Sequence, residues 1–293
     1  MAERGPVIAV RGVSKRFGRK QALNEVSFTV QAGSIFGFLG PNGAGKSTTI
    51  RCLMDYIRPD SGSVEILGRD ARRDSALLKR EMGYLSSELQ LYQGWTGREH
   101  LNFVEGVRGR SDEARQLAQD LDLDLGKPVK YLSSGNQQKL AIVLAFCGRP
   151  RLLIMDEPTR ALDPLLQNQL YELLRGFAAQ GGTVFLSSHN LAEVQRVCDG
   201  VVVIRAGEVV AERSLSELRE LQVRLVQVVA ARPIPPEFLR LRGVEIVHQS
   251  EGEVQMRVHG DINPLLRVLV RYPLKDLQVT HADLEDVFME FYH

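Results

Sequence analysis

Apolar residues fall in short blocks along the chain, and the period within the blocks changes. Residues 7–11 and 25–30 alternate enough to read as strands, with a turn at Gly18 between them. Residues 34–39 form a short apolar strand, and 46–56 read as a helix stopped near Pro59 and Asp60-Ser61-Gly62. Residues 64–67 and 82–85 are two further short strands. From about 96 to 125 the pattern becomes helical and charged, with Leu101, Leu117, Leu121 and Leu125 at mostly helical spacing. A helix over 137–146, a buried strand over 152–155, a helix over 164–180 and a buried strand over 183–187 follow. Continuous apolar strands between helices predict a mostly parallel sheet covered on its faces.

Residues 201–204 and 209–211, joined at Ala206-Gly207, read as a closing hairpin. A helix over 216–221 is expected to end a first domain spanning 1–221. Residues 222–293 have their own order. Strand 223–229, helix 237–241, strands 244–247 and 254–258, helix 264–270, strand 276–280 and helix 283–291 make a β-α-β-β-α-β string. That string is compatible with a small ferredoxin-like α+β domain.

Composition narrows the function classes. At 293 residues and 44% hydrophobic, the chain can bury a sizeable core, and its net charge of +1 gives no global pull toward nucleic acid. Basic residues cluster at Lys15, Arg16, Arg19 and Lys20, as a solvated face or as neighbours of a nucleotide's phosphates. Cys52, Cys147 and Cys198 form no CxxC pair, which favours reduced thiols over disulfides or zinc. The longest uncharged run, 26–45, is broken by Gln31, Gly33, Pro41 and Asn42 and is no membrane span. No apolar signal core follows the early charges Glu3 and Arg4. A soluble chain is expected, with any membrane role supplied by a partner.

The octet Gly40-Pro41-Asn42-Gly43-Ala44-Gly45-Lys46-Ser47 fits GxxxxGK[ST] and lies between a predicted strand and a predicted helix. Its glycines free backbone N–H groups for phosphate oxygens, and the helix adds its positive N-terminal end. Lys46 supplies a charge to the β/γ-phosphates of ATP, and the Ser47 hydroxyl is a ligand for Mg²⁺. Thr48 is counted with the ATP-binding loop. Strand 152–155 runs into Asp156-Glu157, two carboxylates at the sheet edge where open α/β folds bind ligands. Asp156 is expected to hold Mg²⁺ through its water shell, and Glu157 to orient or deprotonate the attacking water.

Leu132-Ser133-Ser134-Gly135-Asn136, followed by Gln137-Gln138-Lys139, resembles the LSGGQ signature of ABC ATPases. Ala161-Leu162-Asp163 is similar to that family's D-loop, and His189 stands where the family keeps its switch histidine. Phe17 occupies the adenine-stacking position, or is a core residue of an early strand. The resemblance implies a P-loop NTPase core with a β-subdomain and a helical lobe. It also implies that Ser133, Ser134, Gly135 and Asn136 meet the ATP held by a second subunit in a head-to-tail dimer. Two departures stand out: Ser134 replaces a usual glycine and Asn136 a usual glutamine, and Ser87 lies where a Mg²⁺-contacting glutamine is usual, with Glu88 beside it. The stretch 88–97, with Leu91, Tyr92 and Trp95, either fills the helical lobe or receives a membrane partner.

The single ATPase domain with its C-terminal extension is similar to bacterial drug- and antibiotic-exporter ATPases. The implied function is a peripheral ATPase on the cytoplasmic face of the cell membrane, powering a separate integral permease. The alternatives are a non-transport ABC ATPase or a weakly active regulatory subunit.

Overall fold

The computed structural model describes residues 5–214, 224–250 and 252–281 of the chain. Two compact units divide it, Met1–Arg213 and Ser214–His293.

In the first unit, β1 (Ile8–Phe17) and β2 (Lys20–Val30) form a long antiparallel ribbon that turns at Gly18, whose φ is 58°. The chain then enters β3 (Ile35–Leu39) and α1 (Lys46–Leu53) before β4 (Ser61–Ile66) and β5 (Arg69–Asp70) complete the first sheet, in the order β2-β1-β4-β5. Helix α1 stops three residues short of the predicted end. Asp55 there takes a φ of 52°, a left-handed conformation that a helix cannot propagate.

β3 belongs to a second sheet with β6 (Met82–Leu85), β7 (Leu152–Asp156), β8 (Thr183–Ser188), β9 (Gly200–Arg205) and β10 (Glu208–Ser214), in the order β10-β9-β3-β8-β7-β6. The pairs β3–β8, β3–β9, β6–β7 and β7–β8 are all parallel. Every residue of β7 and β8 is buried, which is why both read as buried strands from the sequence. Phe28 of β2 packs on Phe38 of β3 and Phe185 of β8 at ring-centroid distances of 5.3 and 5.6 Å, so the two sheets share one core.

Among the helices, α2 (Ser75–Glu81) was not legible in the sequence pattern. The long helical stretch divides into α3 (Gly97–Arg108) and α4 (Asp112–Asp120). Gly109, with φ 96°, ends the first, and the Ser111 hydroxyl caps the second. α5 (Ser134–Phe146) begins three residues earlier than expected because Ser133, not Asn136, is its N-cap. α6 (Pro164–Ala179) and α7 (Leu191–Val197) flank β8, and α7 was also unanticipated.

The second unit is a four-stranded sheet of β11 (Arg224–Ala230), β12 (Val244–Gln249), β13 (Glu253–Val258) and β14 (Leu274–His281). All pairings are antiparallel, in the order β12-β13-β11-β14. The short helices Pro236–Leu239 and Asn263–Leu269 each link two strands that have a third strand between them. Val226, Val228, Val254, Met256 and Val258 point to one side and form a separate core with Leu239, Leu265 and Leu269. The helices expected at 216–221 and 283–291 lie outside the described residues.

Candidate functional site

The carboxyl ends of β3, β7 and β8 lie side by side. Leu39 is in register with Ser188, and Asp156 with Ser187, so the residues that follow each strand emerge at one edge of the sheet. Gly40–Ser47 leaves β3 there. The Gly40 N–H donates to the Ser188 carbonyl (3.2 Å), and a Cβ on Gly40 would lie 2.3 Å from the Ile204 carbonyl oxygen, so only glycine fits. Gly43 and Gly45 take φ values of 81° and 114°, which a side chain would strain. Gly45 also caps α1 without a side chain, leaving the first-turn N–H groups with no capping oxygen from the chain.

Lys46 is buried, and its ammonium donates to the carbonyls of Gly40 (2.6 Å) and Pro41 (3.2 Å). Its Nζ lies 3.7 Å from Glu157 Oε1. Burial pushes its pKa below the ordinary lysine value, against the pull of Glu157 and Asp156. The loop lines a cavity of about 230 Å³ with Phe17, Lys20, Ala22, Asn42, Ser47, Thr48 and Glu157. Phe17 is 48% exposed, which rules out a core role. Lys15 Nζ stands 5.6 Å from its ring centroid.

Asp156 is buried, with one carboxylate oxygen accepting from Ser187 Oγ (2.5 Å) and the other from Ser87 Oγ (2.9 Å). The serine in the usual glutamine's place therefore joins the site through Asp156, while the neighbouring Glu88 is exposed. Glu157 has a φ of 51°, and its N–H donates to the Ser187 carbonyl (3.2 Å) and hydroxyl (3.1 Å). Such a left-handed carboxylate residue is held by its surroundings rather than by preference. Glu157 Oε1 also lies 3.0 Å from His189 Nδ1. Phosphate loop, Asp156, Glu157 and His189 are thus brought together.

The signature residues are not among those lining this cavity. Ser133 Oγ accepts from the Asn136 N–H (3.3 Å), and Ser134, Gly135 and Asn136 form the first turn of α5. Ser134 has no positive φ, so serine in the glycine position carries no backbone strain. The Gln138 amide donates to the Pro158 carbonyl (2.8 Å), tying α5 to the chain just after Glu157. Asp163 caps α6, accepting from the N–H groups of Leu165 and Leu166 at 3.0 Å each. Sequence reasoning passed over Ser187, Ser188 and Glu193, while Lys20, counted in the early basic cluster, lines the cavity. Serines inside a buried apolar strand, and the N-x-x-E spacing of Asn190 and Glu193, were the available signals.

Oxygen donors suit a small hard cation. Among the described residues no cluster of three His, Cys, Asp or Glu side chains could cage a metal. Ser47 and the Asp156 carboxylate match an ion that draws its other ligands from phosphate and water.

Residues 23–160 match the ABC transporter family. The chain is 32% identical to a Nod factor export ATP-binding protein of Burkholderia lata, over 96% of this chain and 95% of that protein. It is 34% identical to a daunorubicin resistance ATP-binding protein of Streptomyces coeruleorubidus, over 72% of this chain and 69% of the other. The ATP-binding subunit of an ABC transporter superposes with a TM-score of 0.67 at 32% identity, covering 73% of this chain and 92% of that one. A dimeric ATP-binding cassette bound to ADP and phosphate shares the fold with a TM-score of 0.64 at 23% identity, over 71% of this chain and 98% of that chain. These likenesses and the phosphate-loop site place the chain in one class. It belongs to the ATP-binding subunits of ABC transporters, and its fold is the P-loop NTPase fold of that family.

Proposed function

We propose that this chain hydrolyses Mg-ATP to drive a separate membrane permease in export. The observation that carries the reading is the convergence of Lys46 and His189 on Glu157 at the mouth of the phosphate loop, 3.7 and 3.0 Å from the same carboxylate oxygen. Lys46 and the loop N–H groups bind the β- and γ-phosphates, and Phe17 stacks on the adenine. Glu157 accepts a proton from the attacking water, and His189 holds that carboxylate in place. Ser47 and Asp156 would hold Mg²⁺, which neutralises phosphate charge when bound.

Ser133, Ser134, Gly135 and Asn136 lie apart from this cavity, and the exposed N-terminus of α5 fits the phosphate of a second subunit's ATP. The proposed assembly is therefore a head-to-tail pair. Among the described residues no helix is long and apolar enough to cross a membrane. In this reading the permease is a separate chain, and the ATPase docks at its cytoplasmic face. Tyr92, 61% exposed and 4.7 Å from the Trp95 ring, belongs to the docking surface. The names of the relatives favour export. The unit 214–293 serves as an accessory to the ATPase unit.

The test is Mg-ATP hydrolysis by the chain with its copurified membrane protein, beside Glu157→Gln. The expected outcome is a loss of about 10²-fold or more with nucleotide binding retained. Equal rates would remove Glu157 from its role, and recovery of soluble partners with no membrane protein would overturn export.

A further inference from the structure

Glu193 sits in the first turn of α7, four residues beyond His189. It is only 6% exposed. Its Oε2 lies 2.5 Å from Ser188 Oγ, while Oε1 is buried with no hydrogen bond of normal geometry, the Thr159 side chain standing near the carboxyl. Ser188 is the last residue of β8, and its carbonyl accepts the Gly40 N–H. The Ser188 hydroxyl also reaches past His189, 2.9 Å from the Asn190 nitrogen and 3.2 Å from the Asn190 carbonyl oxygen.

Two arrangements of the protons are compatible with these contacts. A serine hydroxyl offers one proton and two lone pairs. The Asn190 N–H fills one lone pair. If Glu193 were ionised, its Oε2 would take the only hydroxyl proton. The Asn190 carbonyl would then keep only the long contact from the Val194 N–H (3.4 Å), and a buried charge would keep one oxygen poorly paired. With a proton on Oε2, Glu193 donates to the second lone pair and Ser188 donates to the Asn190 carbonyl. The poorly paired atom is then a neutral carbonyl oxygen, which is far cheaper to bury than a charge.

We propose that Glu193 is a positioning residue that carries a proton in the folded enzyme and, through Ser188 and Asn190, fixes the backbone on which His189 meets Glu157. This rests on the reading of Glu157 and His189 as hydrolytic groups.

The surroundings agree. Glu157 and His189 face the carboxyl from the strand ends, Thr159 from the segment after β7, Tyr171 from α6 and Cys198 from the end of α7. Burial pushes Glu193 above the ordinary glutamate value, and the Glu157 charge acts in the same direction. Ser188, Thr159 and His189 pull the other way without reversing the shift. The folded protein therefore holds this proton more tightly than the unfolded chain does. The associated stability is complete below the ordinary glutamate value of 4.5, falls as pH rises through the folded-state value, and is flat above it. Loss of the proton draws the Ser188 hydroxyl off Asn190 and slackens the loop between them, so hydrolysis falls on the same alkaline limb.

The experiment compares the full chain with Glu193→Gln and Glu193→Ala, each checked for folding by circular dichroism. Alanine is expected to lower kcat by about 10- to 100-fold with KM for Mg-ATP unchanged, the loss expected of a misplaced catalytic group. Glutamine, neutral at every pH and able to donate to Ser188, is expected to recover most of that loss and to flatten the alkaline limb. The infrared difference spectrum of wild type minus Glu193→Gln should carry the C=O band of a protonated carboxyl at neutral pH. The His189 imidazole NMR signal should move in the alanine variant and stay in the glutamine variant. A carboxylate band in place of the acid band, an alanine variant with wild-type kcat, or a His189 signal unmoved in both variants would each overturn the proposal. If no protein, wild type included, hydrolyses ATP, the hydrolytic reading fails while the infrared and NMR results still decide the positioning.

Discussion

Gly40 shows how much a single backbone contact constrains this site. A methyl group there would press on the Ile204 carbonyl oxygen, which is part of β9 and cannot swing aside. Gly40→Ala is expected to destabilise the first unit by about 1–3 kcal/mol, read as a drop in Tm and a loss of ATP affinity together. The cysteines behave differently. Burial pushes the thiols of Cys52 and Cys147 up to about 11. The native protein at pH 8 should therefore alkylate at these positions about 100-fold more slowly than ordinary thiols, by mass spectrometry of iodoacetamide adducts, and denaturant should remove the protection. At this scale the phosphate loop, Asp156, Glu157 and His189 were legible because each belongs to a fixed spacing along the chain. Ser87 was marked only by its place in the resemblance, and Ser187 and Glu193 were not marked at all. Their parts depend on a neighbour 69, 31 or 5 residues away, and no local pattern encodes such a meeting.

Helix boundaries depend on caps, and the caps account for where sequence and structure diverge. The leucines of 96–125 suggest one helical stretch, but Gly109 and Ser111 divide it. Thr96 opens α3 with a full capping box, its hydroxyl accepting from the Glu99 N–H and the Glu99 carboxylate accepting from the Thr96 N–H (2.7 Å). Thr96→Ala should cost about 1 kcal/mol of stability, measured by urea unfolding, and leave ATP affinity unchanged because α3 contributes nothing to the phosphate-loop cavity. Strands are more legible than helices in this chain. β7 and β8 are buried on every residue, and a short run dominated by apolar side chains is what a strand covered on both faces requires. α7 is harder to see because its seven residues place Glu193 and Arg196 among the apolar positions and give a weak period.

Among the described residues, separate stretches of chain build one hydrophobic core under the phosphate loop and another in the second unit. Calorimetry of the full chain is expected to resolve two unfolding transitions. ATP at 100 times its Kd should raise the stability of the first unit by about 2.7 kcal/mol and leave the transition of the second in place. A joint shift would mean that the second unit takes part in holding nucleotide. The order of elements in that unit was readable because each strand is short and bounded by glycine, proline or a polar turn.

The register of β7 against β8 has a mechanical consequence. Glu157 and His189 each leave the end of a neighbouring parallel strand, one residue out of register, so the strand spacing of about 4.8 Å brings their backbones close without fixing their separation. A ladder of peptide hydrogen bonds is a stiff ruler. The strands therefore deliver Glu157 and His189 to one edge when the sheet forms, and the backbone beyond each strand end sets the contact between them. Timing has to come from what arrives at that edge, and the sheet itself has no clock to set.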